Sequence, residues 1–343
     1  MSKNKSRIAI DTGPLKSGHK VRGVGFYTRE LIKALGEEIE AIDFSKEDLS
    51  QYDLIHYPYF APFQKTLPLR KPTKIVVTIH DLIPLLYPKH YPPGVRGRIN
   101  FSLQRLLIKK ADAIIADTET SKKDIVRFLQ IRPEKVSVVH LAPGEIFKKI
   151  VVKKHYNLPK RFVLYVGDVN YNKNIPGLVK AVKIADVPLV MVGKQAVEIE
   201  NQDLSHPELK HLKEVLPEFK DNKKIIRLGF VSDEDLVAIY NLATVYCQPS
   251  FYEGFGLPVL QAMACGTPVV ATRTQALVEI GAEACLYADL KDHRDLAQKI
   301  KEVLESVDLQ KELSQKGLKH VKEFSWAKTA SETIKVYEKV LSK

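Results

Sequence analysis

Three residues of types that handle sugars and phosphates each stand just past an apolar, strand-like run: His80 after 74–79, Lys173 after 161–166 and Glu253 after 244–247. A carboxylate accepts hydroxyl hydrogen bonds, an ammonium balances phosphate charge and an imidazole donates or accepts with its protonation state. Glu253 lies in QPSFYEGFGLPVLQAMACGTPVVAT, residues 248–272. There Gly254 and Gly256 leave the backbone bare around Phe255, Pro258 suits a first helical turn and Gly266 suits a helix stop. Glycines feeding a helix start aim amides, here those of Gly256 and Leu257, and the positive end of the helix dipole at one spot, where a diphosphate collects. An acidic residue inside such a turn points to the hydroxyls of a sugar joined to that diphosphate. A plain strand-turn-helix, with glycines that only permit the turn, fits the same letters.

The other candidates follow the same positional rule, since residues past the carboxyl ends of parallel strands line a ligand crevice. His80 and Asp81 open H-D-L-I-P, with Asp81 expected to orient or cap. Gly23 and Gly25 sit at the first strand-to-helix passage, where a helix-start turn is the plainer reading. Lys194 follows Gly193 in V-M-V-G-K, and Arg227 stands in the run 225–228, ahead of Leu228-Gly229. Residues 87–110 mix prolines, aromatics and cations, which suits an acceptor or membrane surface and equally a solvated helix face. Thr118, Thr120 and Ser121 receive no role.

Elements able to position these groups alternate along the chain. Strand-like runs at 7–11, 53–57, 74–79, 112–117, 136–140, 161–166, 188–192, 225–228, 244–247 and 268–272 are separated by helical periodicity. The alternation lapses at 143–159, expected to be a linker. The reading is therefore α/β with two doubly wound parallel sheets, in domains 1–150 and 151–325. A last helix, 326–341, is capped by Ser325, with Trp326, Ala330, Ile334, Tyr337 and Leu341 as its buried stripe.

A chain of 343 residues that is 45% hydrophobic and 27% charged can bury two ordinary cores. No apolar run reaches the roughly 18 residues that span a bilayer, and the polar start MSKNKSR does not read as a signal peptide. Cys247, Cys265 and Cys285 have no metal-ligand spacing and read as buried thiols of a reducing cytoplasm. The formal charge of +12 is uneven: residues 1–150 carry 26 Lys and Arg against 16 Asp and Glu, and the rest 27 against 25. A basic first half suits anionic lipid head groups or a diphosphate-linked acceptor, and equally a merely soluble basic surface. No nucleic-acid recognition motif accompanies the charge, so no nucleic-acid partner is expected.

The string P-S-x-x-E-G-F-G-L-P-x-L-x-A-M-A-C-G-x-P-V resembles the signature of family 4 of the retaining glycosyltransferases. The resemblance implies the GT-B fold of two facing Rossmann-like domains, with a terminal helix, 326–343, returning to the first. It also implies transfer of a hexose, mannose or glucose, from a GDP- or UDP-linked sugar to a glycan or lipid-linked acceptor, without cofactor or metal. By the same resemblance Glu253 contacts the donor sugar, His80 approaches that sugar from the first domain, Lys173 neutralises the diphosphate, and Gly23 and Gly25 lie against the phosphates. Two positions depart from the family pattern. Gln261 replaces a second glutamate that contacts ribose, and Asp168 replaces a basic residue, with Lys194 and Arg227 as other cations for the diphosphate. These departures keep open a catalytically impaired nucleotide-sugar-binding protein, and the fold alone leaves a sugar-nucleotide epimerase. The protein is expected in the cytoplasm, peripheral at the inner membrane face.

Overall fold

The computed structural model describes residues 6–16, 18 and 23–343. The polar start at 1–5, and residues 17 and 19–22 before Gly23, lie outside them. The chain divides into two compact units: Met1–Pro88, Pro92–Ala142 and Phe324–Lys343 form the first, and Lys89–Tyr91 with Pro143–Glu323 form the second. The stretch 143–159, read as a linker, packs within the second unit. Phe147 is buried against Tyr240, and Asn241 binds both the Ile150 amide and the Lys148 carbonyl.

The first unit contains β1 (Ile8–Asp11), β2 (Glu40–Ile42), β3 (Leu54–Tyr57), β4 (Lys74–Ile79), β5 (Ala113–Ala116) and β6 (Val136–Val138). They form one parallel sheet in the order β2-β1-β3-β4-β5-β6. Helices cover both faces of such a sheet, so β3 and β5 read as unbroken buried runs, LIHY and AIIA. β2 escaped the sequence reading because it is a three-residue edge strand whose Glu40 and Ala41 face solvent.

The second unit contains β7 (Val163–Val166), β8 (Leu189–Val192), β9 (Ile225–Arg227), β10 (Val245–Gln248), β11 (Val269–Thr272) and β12 (Cys285–Ala288). Their order is β12-β11-β10-β7-β8-β9, again all parallel. Succession runs outward from β7 to β9 and then resumes on the other side of β7 with β10. The direction therefore reverses between β7 and β10, and a doubly wound sheet forms its ligand crevice at that reversal.

The last helix spans Trp326–Leu341, with the Ser325 side chain accepting from the Lys328 amide, and it belongs to the first unit. Its buried stripe is Trp326, Thr329, Ala330, Thr333, Val336, Tyr337 and Val340, whereas the expected Ile334 and Leu341 are half-exposed. Hydrophobicity alone misplaced the stripe because two threonines are buried with their hydroxyls satisfied: Thr329 donates to the His140 carbonyl at 2.8 Å and Thr333 to the Thr329 carbonyl at 2.8 Å. The seam with the sheet is polar as well. Tyr337 Oη lies 2.7 Å from His56 Nδ1, His56 Nε2 lies 2.8 Å from Thr78 Oγ1, and Thr78 Oγ1 lies 2.9 Å from Tyr27 Oη. Burial, followed by the nearby His80 charge, lowers the His56 pKa to about 3, so this imidazole is neutral and fits a chain of hydroxyls. Lys74 Nζ closes the helix end on the Val340 and Leu341 carbonyls at 3.0 and 3.1 Å.

Tyr337→Phe would strip His56 of one partner while preserving volume. The expected loss is about 1–3 kcal/mol of stability, the cost of an unsatisfied buried polar group, measured by urea unfolding; an unchanged midpoint would refute the hydrogen-bonded seam.

Candidate functional site

Lys173 and Glu253 follow β7 and β10, the two strands that flank the reversal. After β7 the chain runs through Gly167 to a short turn at Tyr171–Lys173, and Asn174 then starts the helix Ile175–Ala185. Asn174 has a left-handed backbone (φ 51°), a conformation asparagine tolerates, and its side chain accepts from the Gly177 amide. The same side chain donates to the Pro249 carbonyl at 3.0 Å. Asn172, on the other side of Lys173, donates to the Tyr252 carbonyl at 3.1 Å, and its own carbonyl accepts from the Phe251 amide at 2.7 Å. Tyr91 donates to Asn172 Oδ1 at 2.7 Å. Two asparagines therefore tie the loop after β10 to the turn that carries Lys173.

Held in this way, Lys173 Nζ lies 2.8 and 2.9 Å from the two Glu253 oxygens. The Glu253 side chain is 8% exposed and that of Lys173 22%. Glu253 Oε1 also accepts from Gln248 Nε2 at 2.8 Å and from Ser250 Oγ at 2.5 Å. Behind them Tyr246 donates to Gln248 Oε1, and Thr272 donates to the Ser250 carbonyl at 2.5 Å. Burial, then the neighbouring tyrosines and the Glu253 charge, raises the Tyr246 pKa well above its ordinary value, so it remains a neutral donor. Oε1 is thus crowded with donors, while Oε2 receives Lys173 alone among the described residues and retains capacity for a hydroxyl.

The turn beyond Glu253 passes through Gly254 and buried Phe255 to Gly256, whose φ is 111°. The left-handed φ favours glycine at this position, and a Cβ there would also crowd the tip of Leu277, Cδ2 at 2.8 Å. The helix Leu257–Ala264 begins there with Pro258 in its first turn. Among the described residues the Gly256 and Leu257 amides have no acceptor, as expected of a helix start. Gln261, inside this helix, is buried and accepts from Tyr240 Oη at 3.3 Å.

The remaining candidates of this unit take other places. Arg227 is a brace: it pairs with Glu200 at 2.7 Å and donates to the Ala196 and Phe219 carbonyls. Lys194 is exposed at the start of a short turn of helix, Lys194–Val197. Gly193 is required by packing, because a Cβ would stand 2.2 Å from the Gly167 carbonyl oxygen.

In the first unit, His80 stands where β3, β4 and β5 end side by side. Its Nδ1 lies 2.8 Å from Asp117 Oδ2, beyond β5, and its Nε2 lies 3.1 Å from the Pro58 carbonyl, beyond β3. Ser121 donates to the His80 carbonyl at 2.9 Å, and Thr118 caps the helix Glu119–Leu129, which gives T-E-T-S a supporting role. Asp81 accepts from the Ile83 amide at 3.0 Å and so caps the next turn. His80 and Asp81 line a pocket of about 220 Å³ together with Tyr59, Phe60, Phe63 and Pro84. Gly23 is exposed and Gly25 buried in the first turn of the helix Gly23–Leu35. Asp117 went unnoticed in the sequence, although the acid that follows A-I-I-A obeys the rule that flagged His80.

Two parallel doubly wound sheets, the second carrying a glycine-started helix and a buried lysine-carboxylate pair at its reversal, make up the GT-B class of fold. The chain belongs to the glycosyl transferases group 1 family, whose model matches residues 147–320; the model of glycosyltransferase family 4 matches residues 14–142. It is 30% identical to the serotype-specific mannosyltransferase WbdA of Escherichia coli over 79% of this chain, and spans about a third (34%) of that protein. It is 29% identical to the O-antigen chain mannosyltransferase B of Escherichia coli, over 97% of this chain and 99% of that one. In fold it is similar to Anabaena HepE in complex with UDP-glucose, with a TM-score of 0.70 at 16% identity, covering 98% of this chain and 100% of that one.

A double-mutant cycle of Lys173→Met and Glu253→Gln, read by chemical unfolding, should give a coupling energy above about 1 kcal/mol, as expected for groups sharing one network. Additive losses would show the pair to be energetically idle.

Proposed function

We propose that this chain transfers a hexose from a nucleotide diphosphate sugar to an acceptor hydroxyl with retention of configuration. The observation that carries the reading is the Lys173–Glu253 pair beside the Gly256 and Leu257 amides at the sheet reversal. Those amides and the Lys173 ammonium suit a departing diphosphate, a charge that develops as the sugar leaves. Glu253, braced by Gln248 and Ser250, suits the sugar hydroxyls through Oε2. Gln261 takes the ribose, and His80 with its pocket in the first unit serves the sugar and the acceptor. The proton released by the acceptor hydroxyl goes to the leaving phosphate, so the scheme asks for no protein base, metal or cofactor.

Mannose from a GDP-linked donor is favoured, because both relatives named above are mannosyltransferases; a UDP-linked hexose follows, since HepE is recorded with UDP-glucose. Among the described residues no helix is long and apolar enough to cross a membrane. A peripheral contact with anionic lipid, made from the cytoplasmic side, is part of the proposal. It is supported by the helix Gly94–Ile108, which contains no acid and exposes Val95, Ile99 and Leu106 beside Arg96 and Arg98. A donor-binding protein without turnover is the second reading, favoured by Gln261, whose carbonyl is already engaged by Tyr240.

Lys173→Ala and Glu253→Ala should each reduce transfer more than about tenfold, or roughly 1.4 kcal/mol of barrier, with the circular dichroism spectrum unchanged. Near-native rates in both would end the assignment. GDP and GDP-mannose should raise the melting temperature more than their UDP counterparts; binding without transfer to any acceptor would favour the second reading. Co-sedimentation with vesicles containing phosphatidylglycerol should exceed that with neutral vesicles and weaken in Arg96→Glu/Arg98→Glu. Equal retention on both vesicle types would remove the lipid contact.

A further inference from the structure

The surroundings of His80 contain more than a ligand contact requires. Both ring nitrogens face oxygens that only accept, Asp117 Oδ2 at 2.8 Å and the Pro58 carbonyl at 3.1 Å. A neutral imidazole carries a single N–H and would turn a lone pair toward one of these oxygens, whereas the imidazolium donates to both. Asp117 is 2% exposed, and its Oδ1 has no hydrogen-bond partner among the described residues. Among the described residues the partner of this buried carboxylate is therefore His80, and a buried carboxylate without a cation is costly. The other groups that bear on the ring point the same way. Asp81 adds negative charge, Tyr27 from the helix Gly23–Leu35 packs edge-on at 4.7 Å and is kept neutral by burial, and His56 from β3 is neutral. The His80 backbone is separately pinned by Ser121.

We propose that Asp117 is a positioning residue that holds His80 as an imidazolium in a fixed orientation between the ends of three strands. Asp117 is not among the residues lining the 220 Å³ pocket, whereas His80 is, so Asp117 acts through the ring. With Nδ1 committed to Asp117, Nε2–H is the group that can be shared with a ligand oxygen, and His80 meets its ligand as a donor and a fixed positive charge. It is not a proton acceptor. The use of this charge in transfer rests on the function proposed above; the hold itself does not. Burial works against the charged ring, but the Asp117 charge and hydrogen bond, with help from Asp81 and Pro58, outweigh it, so the His80 pKa is raised above its ordinary 6.5. His80 should accordingly keep its proton as pH rises past the point where an ordinary histidine loses it.

The test is an NMR titration of the His80 ring in the whole chain without substrate, for wild type and Asp117→Asn. The wild-type midpoint is expected above 6.5 and that of the variant below the wild-type value. Transfer by the variant should fall roughly ten- to a hundredfold, as for a displaced contact, with the deficit widening toward high pH and shrinking toward low pH. A wild-type midpoint at or below 6.5 overturns the proposal whether or not the variant folds. An unchanged midpoint in a folded variant overturns it as well. A shifted midpoint with unaltered transfer supports the hold and removes His80 from the function proposed above.

Discussion

Burying Glu253 is the constraint around which the second unit is arranged. A carboxylate taken out of water is tolerated only when donors and a cation replace its hydration, and each of its partners needs support in turn. Lys173 is fixed because asparagines on either side of it are bonded to the loop that carries Glu253. Ser250 and Gln248 are fixed because Thr272, from the neighbouring β11, and Tyr246, two residues before Gln248 on β10, hold them from behind. The result is a carboxylate with one saturated oxygen and one that still has room, beside helix-start amides that have no acceptor among the described residues. Such an arrangement is preorganised: its ordering cost is met in folding rather than at binding.

The first unit solves a related problem with other residues. Asp117 is as deeply buried as Glu253, and its compensating cation is an imidazolium rather than an ammonium. One strand away from β4, His56 takes the opposite state, neutral and hydrogen-bonded to hydroxyls on both sides. Two histidines in one core differ in charge because one faces a carboxylate and the other faces alcohols. Both units place their buried charge past the carboxyl ends of parallel strands. That is where the regular ladder stops and side chains from adjacent strands converge without competing for sheet hydrogen bonds.

Much of this was legible in the sequence because burial writes itself into composition. Continuous runs such as KIVVTI and AIIA mark strands covered on both faces, and E-G-F-G-L-P marks a turn whose left-handed φ favours glycine at Gly256. Readings failed where burial is polar and at the edges of the sheets. The stripe of the last helix was misassigned because Thr329 and Thr333 look like surface residues until their hydroxyl partners are known. β2 was missed because an exposed edge strand has no apolar run. Asp117 looked like an ordinary acid after a strand, and nothing in its neighbours along the chain reveals that His80, 37 residues earlier, lies against it. Lys194, past a strand end, and Arg227, within an apolar run, are both candidate cations by sequence, but an exposed turn and a brace to Glu200 are equally good uses of a cation.

Gln261 shows how a departure from a family pattern can be argued from its surroundings. The position is buried, and its partner among the described residues is the hydroxyl of Tyr240, which burial keeps protonated and neutral. A glutamate there would carry a charge opposed by a phenol rather than a cation, and such a charge is expensive to bury. An amide accepts from Tyr240 with its oxygen and still has two N–H donors to offer. A ribose contact made by Gln261 would then use the ribose oxygens as acceptors, whereas a carboxylate would use the hydroxyls as donors. The exchange alters the direction of the hydrogen bond as well as its strength, and it removes one negative charge from a unit whose proposed ligand is a diphosphate.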